Sequence, residues 1–221
     1  MNLHSLRILA LGLAVLISGC ATRTKMAFEA DDEKLTETSK PVYLMTATLK
    51  NTYHPSFQPK LIVVHVEKPG AKDAAGRLNF TMDTKAKAES NTVQQGNSYF
   101  LRMQLEPGPY QIVGMSSMAS SFPITGFFFA PIHTPLEAGG SGVYYLGHVA
   151  ATVRERVGDE FKAGPSIPLI DQAVAGASGG TFDVEISDQW ETEEAQFLFR
   201  FPALKGVVVK KAILPAFDRA V

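Results

Sequence analysis

From Pro41 onward the chain alternates apolar and polar residues with a period of two. Tyr43, Met45, Ala47 and Leu49 interleave with Leu44, Thr46 and Thr48. Ile62, Val64 and Val66 interleave with Val63, His65 and Glu67, and Leu78, Phe80 and Met82 with Arg77, Asn79, Thr81 and Asp83. Tyr99, Leu101, Met103 and Leu105 then alternate with Phe100, Arg102 and Gln104. Neighbouring side chains of an extended strand point to opposite faces, so each run predicts a half-buried β-strand. Pro, Gly, Asn or Asp bounds every run. A longer alternation sets Val143, Tyr145, Val149, Ala151, Val153 and Val157 against Tyr144, Leu146, His148, Thr152, Arg154 and Arg156. Residues 163–180, rich in Gly, Pro and Ala, read as a loop. A strand over 181–187 follows, with Phe182, Val184 and Ile186 inward, and a last strand over 206–214 would close a sheet edge.

Only residues 188–201 carry a helical pattern. Trp190, Phe197 and Phe201, joined by Ala195 and Leu198, make the apolar side. Asp188 is placed to cap the free amides, Glu191 completes a capping box, and Pro202 ends the helix. Closely spaced half-buried strands without alternating helices argue for a sandwich rather than βαβ units. The expected fold is mainly β, an antiparallel β-sandwich with one α-helix in the C-terminal region. Residues 41–221 form its single domain.

The turn Leu105-Glu106-Pro107-Gly108-Pro109-Tyr110 has its own logic. Pro107 presets φ at the first corner, Gly108 supplies a positive φ, and Leu105 and Tyr110 point into one core. This L-x-P-G-x-Y hairpin resembles those of transthyretin-like and carboxypeptidase-regulatory-like β-sandwiches, over about 41–115. The resemblance implies a fold and no catalytic residue.

The first twenty residues differ from everything after them. His4 and Arg7 lie in a short polar start, Ile8 to Ile17 form an apolar run, and Ser18-Gly19 precede Cys20, the only cysteine. The run is about ten residues, too short for the ~20 of a spanning helix, but suited to an export signal. Small residues directly before a cysteine resemble the bacterial lipobox, in which the chain is cut before a diacylated thiol. That resemblance implies a signal peptide at 1–19 and lipidation of Cys20. Ala21, rather than Asp, implies an outer-membrane address facing the periplasm. A plain secretory signal with an incidental Cys20 is the alternative. Removing the signal leaves about 200 residues, enough for one sizeable core. No second cysteine exists to form an internal disulfide.

Residues 20–40 hold nine charged side chains among few apolar ones, which predicts a flexible tether. Over the whole chain, 21 Lys and Arg face 22 Asp and Glu, and no basic block tracks a phosphate backbone, so nucleic acid is not an expected partner. The expected partners are the membrane, through the lipid anchor, and an unidentified envelope protein.

Candidate chemistry is sparse. Gly176-Ala177-Ser178-Gly179-Gly180 matches G-x-S-x-G, but a loop precedes it and a strand follows, the reverse of a nucleophile elbow. His54, His65, His133 and His148 have no metal-ligand spacing; His65 with Glu67 and a distant His148 is the one seed. No Gly-rich loop opens a helix, so no cofactor and no metal is expected. Phe122, Phe127, Phe128 and Phe129 form the most apolar segment. It is either an inner strand covered on both sides, or an exposed patch for a lipid or partner. These readings favour a non-enzymatic envelope adaptor or assembly factor. An apolar-ligand module using 122–129 comes second and a hydrolase last.

Overall fold

The computed structural model describes residues 22–30, 33–35, 40–165 and 172–219. Strands β1 (Thr22–Thr24), β2 (Val42–Asn51), β3 (Lys60–Glu67), β4 (Arg77–Thr81), β5 (Lys87–Thr92) and β6 (Gly96–Gln104) come first. They are followed by β7 (Gly108–Ser121), β8 (Ile124–Ala138), β9 (Val143–Glu155) and β10 (Gly180–Ser187), then α1 (Trp190–Arg200) and β11 (Val209–Lys211). One sheet has the order β1-β4-β3-β7-β8. The other runs β10-β9-β2-β6-β5, with β11 also paired to β9. The sandwich and, among the described residues, its one α-helix are those the residue pattern predicts. The sheets are mixed, however: β1 with β4, β2 with β9, and β11 with β9 run parallel.

The two sheets bury one core between them. Met45, Leu49, Leu101 and Val149 from one sheet meet Val64, Phe80, Met115 and Phe128 from the other. Leu105 and Tyr110 both enter this core, and Gly108 has φ +139°. Their turn is not a hairpin, because β6 and β7 belong to opposite sheets, so it carries the chain across the sandwich.

α1 forms a third layer on the outer face of the six-stranded sheet. Trp190, Phe197 and Phe201 pack there on Val42, Leu44, Phe100, Val143 and Tyr145. β2 is therefore buried on both faces rather than half-buried. On β9 the alternation slips. Leu44 faces Tyr145 but Thr46 faces His148, so one extra residue is accommodated at Gly147, which has φ +108°. Consequently Tyr145 and His148 share the helix face, while Leu146, Val149 and Ala151 face the inter-sheet core. A single phase along β9 places Val143 and Tyr145 on the wrong side.

The helix is two residues shorter at its start than its pattern predicts. Gln189 is the N-cap and makes no side-chain capping bond, while Asp188 accepts from the Trp190 amide at 3.1 Å and pairs with Lys211. Ala195 is exposed, not part of the apolar side.

The expected flexible tether is corrected over residues 22–30. Met26, Ala27 and Phe28 are buried, and Ala27 donates to the Arg102 carbonyl at 2.9 Å. Three adjacent apolar residues suffice to seat this stretch, despite the charges around them. Cys20 and the signal segment lie outside the described residues.

Candidate functional site

The phenylalanine segment sits at the turn and first half of the β7–β8 hairpin. Phe122 is fully exposed at its tip. Alternation then sends Phe128 into the inter-sheet core at 2% exposure, and Phe127 and Phe129 to the outer face. β8 is the last strand of its sheet, and part of the predicted 163–180 loop lies along its open edge. Phe129 N–H donates to the Ala163 carbonyl and Phe127 N–H to Gln172 Oε1, both at 2.8 Å. Gln172 in turn donates to the Thr125 carbonyl. Cover and exposure therefore both occur, because the loop seals the edge yet leaves Phe127 39% exposed.

Between this loop and the sheet opens a cleft of about 430 Å³, bounded by Ile62, Ser116, Phe127, Phe129, Lys162 and Pro165. Most of its wall is apolar. Ser117 also borders it, 1% exposed, and its hydroxyl has no hydrogen-bond partner among the described residues. Ser117 is directly opposite Phe128, so its hydroxyl turns toward the inter-sheet core, whereas Ser116, opposite Phe129, turns to the cleft side.

Behind Ser116 lies a relay that the sequence pattern did not reveal. Ser116 Oγ is 2.7 Å from His65 Nε2, and His65 Nδ1 is 2.8 Å from Asn79 Oδ1. An amide oxygen only accepts, so Nδ1 carries the proton and Nε2 accepts from the serine hydroxyl. His65 and Asn79 are directly opposed on β3 and β4, while Ser116 comes from β7. The residues are 14 and 51 positions apart along the chain, and only strand register joins them. A hydroxyl, an imidazole and an amide oxygen are thus linked in series, with Ser116 bordering the cleft.

A second cluster pins α1 to the sheet. Glu193 accepts from Thr46 Oγ1 at 2.5 Å and from the Tyr145 hydroxyl at 2.7 Å, and lies 2.6 Å from His148 Nδ1. Burial pushes its carboxyl upward, but the bonds from His148, Thr46 and Tyr145 outweigh that and hold it below the ordinary glutamate value. Burial and the Glu193 carboxylate push the Tyr145 phenol upward. An acid in the first helical turn reads from sequence as dipole compensation, whereas Glu193 is a sheet contact.

A carboxyl lowered in the native state stabilises the fold fully above its unfolded value. That contribution fades as pH falls through the native value. Glu193→Gln should therefore cost about 1–3 kcal/mol at neutral pH. In urea unfolding the gap to wild type should close on acidification. A gap that stays constant into acid would show that the charge is not what pins the helix.

The remaining candidates separate. His65 and His148 lie on different sheets, and Glu67 faces Arg77 at 3.9 Å, so the one metal seed is not assembled. No group of three potential ligands occurs among the described residues. The G-x-S-x-G stretch runs through turns into β10, with Gly176 against the His54 ring. It has no strand–turn–helix setting. Comparison with protein-family models, with curated proteins and with solved structures finds no match.

Proposed function

We propose that this chain is a lipid-anchored protein of the bacterial outer membrane, facing the periplasm, whose sandwich binds an amphipathic small molecule. The observation that carries the binding reading is the cleft at Phe127 and Phe129, with an apolar wall and the Ser116 side chain at its border. Ligand pockets are commonly of this volume and lining, apolar walls with a few polar groups that fix orientation. An acyl chain with a polar head suits it: the chain against Ile62, Phe127 and Phe129, the head toward Ser116 and Lys162. This moves the ligand-binding reading ahead of a purely structural adaptor. The exposed Phe122 tip leaves room for a protein contact beside it.

The Ser116–His65–Asn79 relay favours a second reading, hydrolysis of an ester of such a molecule. Ser116 Oγ would attack the ester carbonyl carbon, its proton passing through His65 Nε2 to the departing alcohol. Water, deprotonated by the same histidine, would then release the acid and restore the serine.

One titration separates these readings. A fluorescent C11–C12 fatty acid should bind the wild-type chain, and Phe127→Ser should weaken it at least about ten-fold, since a buried ring contributes roughly 1.5–3 kcal/mol. Stability should change by about 1 kcal/mol or less, because Phe127 is 39% exposed. Equal affinity in the two proteins would remove the cleft as the site. p-Nitrophenyl butyrate turnover that Ser116→Ala abolishes, with probe binding intact, would establish the hydrolytic reading instead.

A further inference from the structure

β1 docks only two residues after Cys20. Thr22 lies beside Leu78, Arg23 beside Asn79 and Thr24 beside Phe80, parallel to β4. Two residue steps of chain reach no more than about 7 Å, so on the lipid-anchor reading the acylated cysteine is held close to this edge of the sandwich. Thr22, the first residue of β1, lies beside Leu78, one residue from the start of β4, where Arg77 directly follows the 68–76 loop.

We infer that the sandwich stands end-on against its own bilayer, with the 68–75 loop seated in the headgroup layer around the Cys20 anchor. This rests on the lipid-anchor reading above. Lys68, Pro69, Lys72, Asp73 and Ala75 are exposed on that loop, with the Asp73 carboxylate accepting from the Gly76 amide. The two ammonium groups suit phosphate headgroups, and the small side chains allow close approach. Lys68 reaches back over the Tyr110 ring, with Nζ 5.8 Å from its centroid, so part of this surface is braced by β7.

The cleft lies toward the opposite end. Glu67 of β3 is level with Arg77 and Gln111 at the loop end, whereas Lys60 is level with Met118. From Gln111 to the hairpin tip at Phe122 the strand climbs about 35 Å. Phe122 and the cleft are thereby presented away from the membrane that holds the anchor. What they meet arrives from the aqueous side.

The test uses the full acylated chain in vesicles of phosphatidylethanolamine and phosphatidylglycerol containing a headgroup-spin-labelled lipid. Ala75→Cys and Ser121→Cys each receive an environment-sensitive dye, the Cys20 thiol being blocked by its lipid. The headgroup layer is about 6 Å deep, so the dye at 75 should lose about half of its emission and the dye at 121 almost none. A Gly/Ser insert of about twelve residues between Ala21 and Thr22 should abolish the difference. Equal quenching at both positions, or stronger quenching at 121, in vesicle-bound protein overturns the orientation while leaving the anchor intact. Dye uptake at Cys20 in the otherwise unsubstituted chain, or failure to float with vesicles, overturns the anchor reading and this one with it.

Discussion

Arg102→Met should lower the unfolding free energy by about 3–5 kcal/mol, the usual cost of removing one partner from a buried ion pair. Arg102 is fully buried, and four separate parts of the chain meet at its guanidinium. It pairs with Asp83, donates to the Ala27 carbonyl at 2.8 Å and the Phe100 carbonyl at 3.2 Å, and lies 3.9 Å over the Phe201 ring. Burial lowers its basicity, and the Asp83 carboxylate opposes that shift. A methionine fills similar volume but leaves Asp83, only 12% exposed, without its cation, and two buried carbonyls without donors. Urea unfolding followed by the single Trp190 reports this directly, because Trp190 belongs to the same cluster as Phe201. Adding Asp83→Asn should restore part of the loss. If the double variant is no more stable than the single one, the ion pair is not the source of the cost.

Trp190→Ala should also cost about 3–5 kcal/mol, read by circular dichroism since the fluorophore is gone. Trp190 is 9% exposed, with its ring 5.0 Å from Tyr145 and 5.8 Å from Phe197. Truncation opens a cavity between the first turn of α1 and the sheet, where Glu193 is the remaining anchor while Phe197, Arg200 and Phe201 hold the other end. A loss under about 1 kcal/mol would mean that the helix rests on the sheet without stabilising it. The two substitutions act on one cluster, so their combined cost should fall short of the sum.

Much of the sandwich is legible in the residues because alternation is a local signal. Met45, Leu49, Leu101 and Val149 announce their inward side from their neighbours alone, and all line the inter-sheet core. What escapes is set by register. The slip at Gly147 is invisible in composition, yet it decides which face receives Tyr145 and His148. β5 escapes because Lys87, Glu89, Ser90, Asn91 and Thr92 carry almost no apolar signal, as suits an edge strand. Of the cleft, Phe127 and Phe129 are readable, since three consecutive aromatics must place rings on both faces. The loop that walls it, and the Ser116–His65–Asn79 alignment, depend on contacts between distant strands. Glu193 escapes for a different reason: the helix pattern reserves its apolar side for apolar residues, whereas here a carboxylate occupies part of it among three polar donors.

The loop along β8 has a consequence for behaviour at high local concentration. Three consecutive phenylalanines on a terminal strand, with low charge around them, are the kind of stretch that templates intermolecular pairing into fibrils. The bonds from Ala163 and Gln172 occupy the backbone amides at Phe129 and Phe127. Neighbouring copies crowded together thus meet a strand whose amides at Phe127 and Phe129 are already taken, which keeps this aromatic segment from recruiting its own kind.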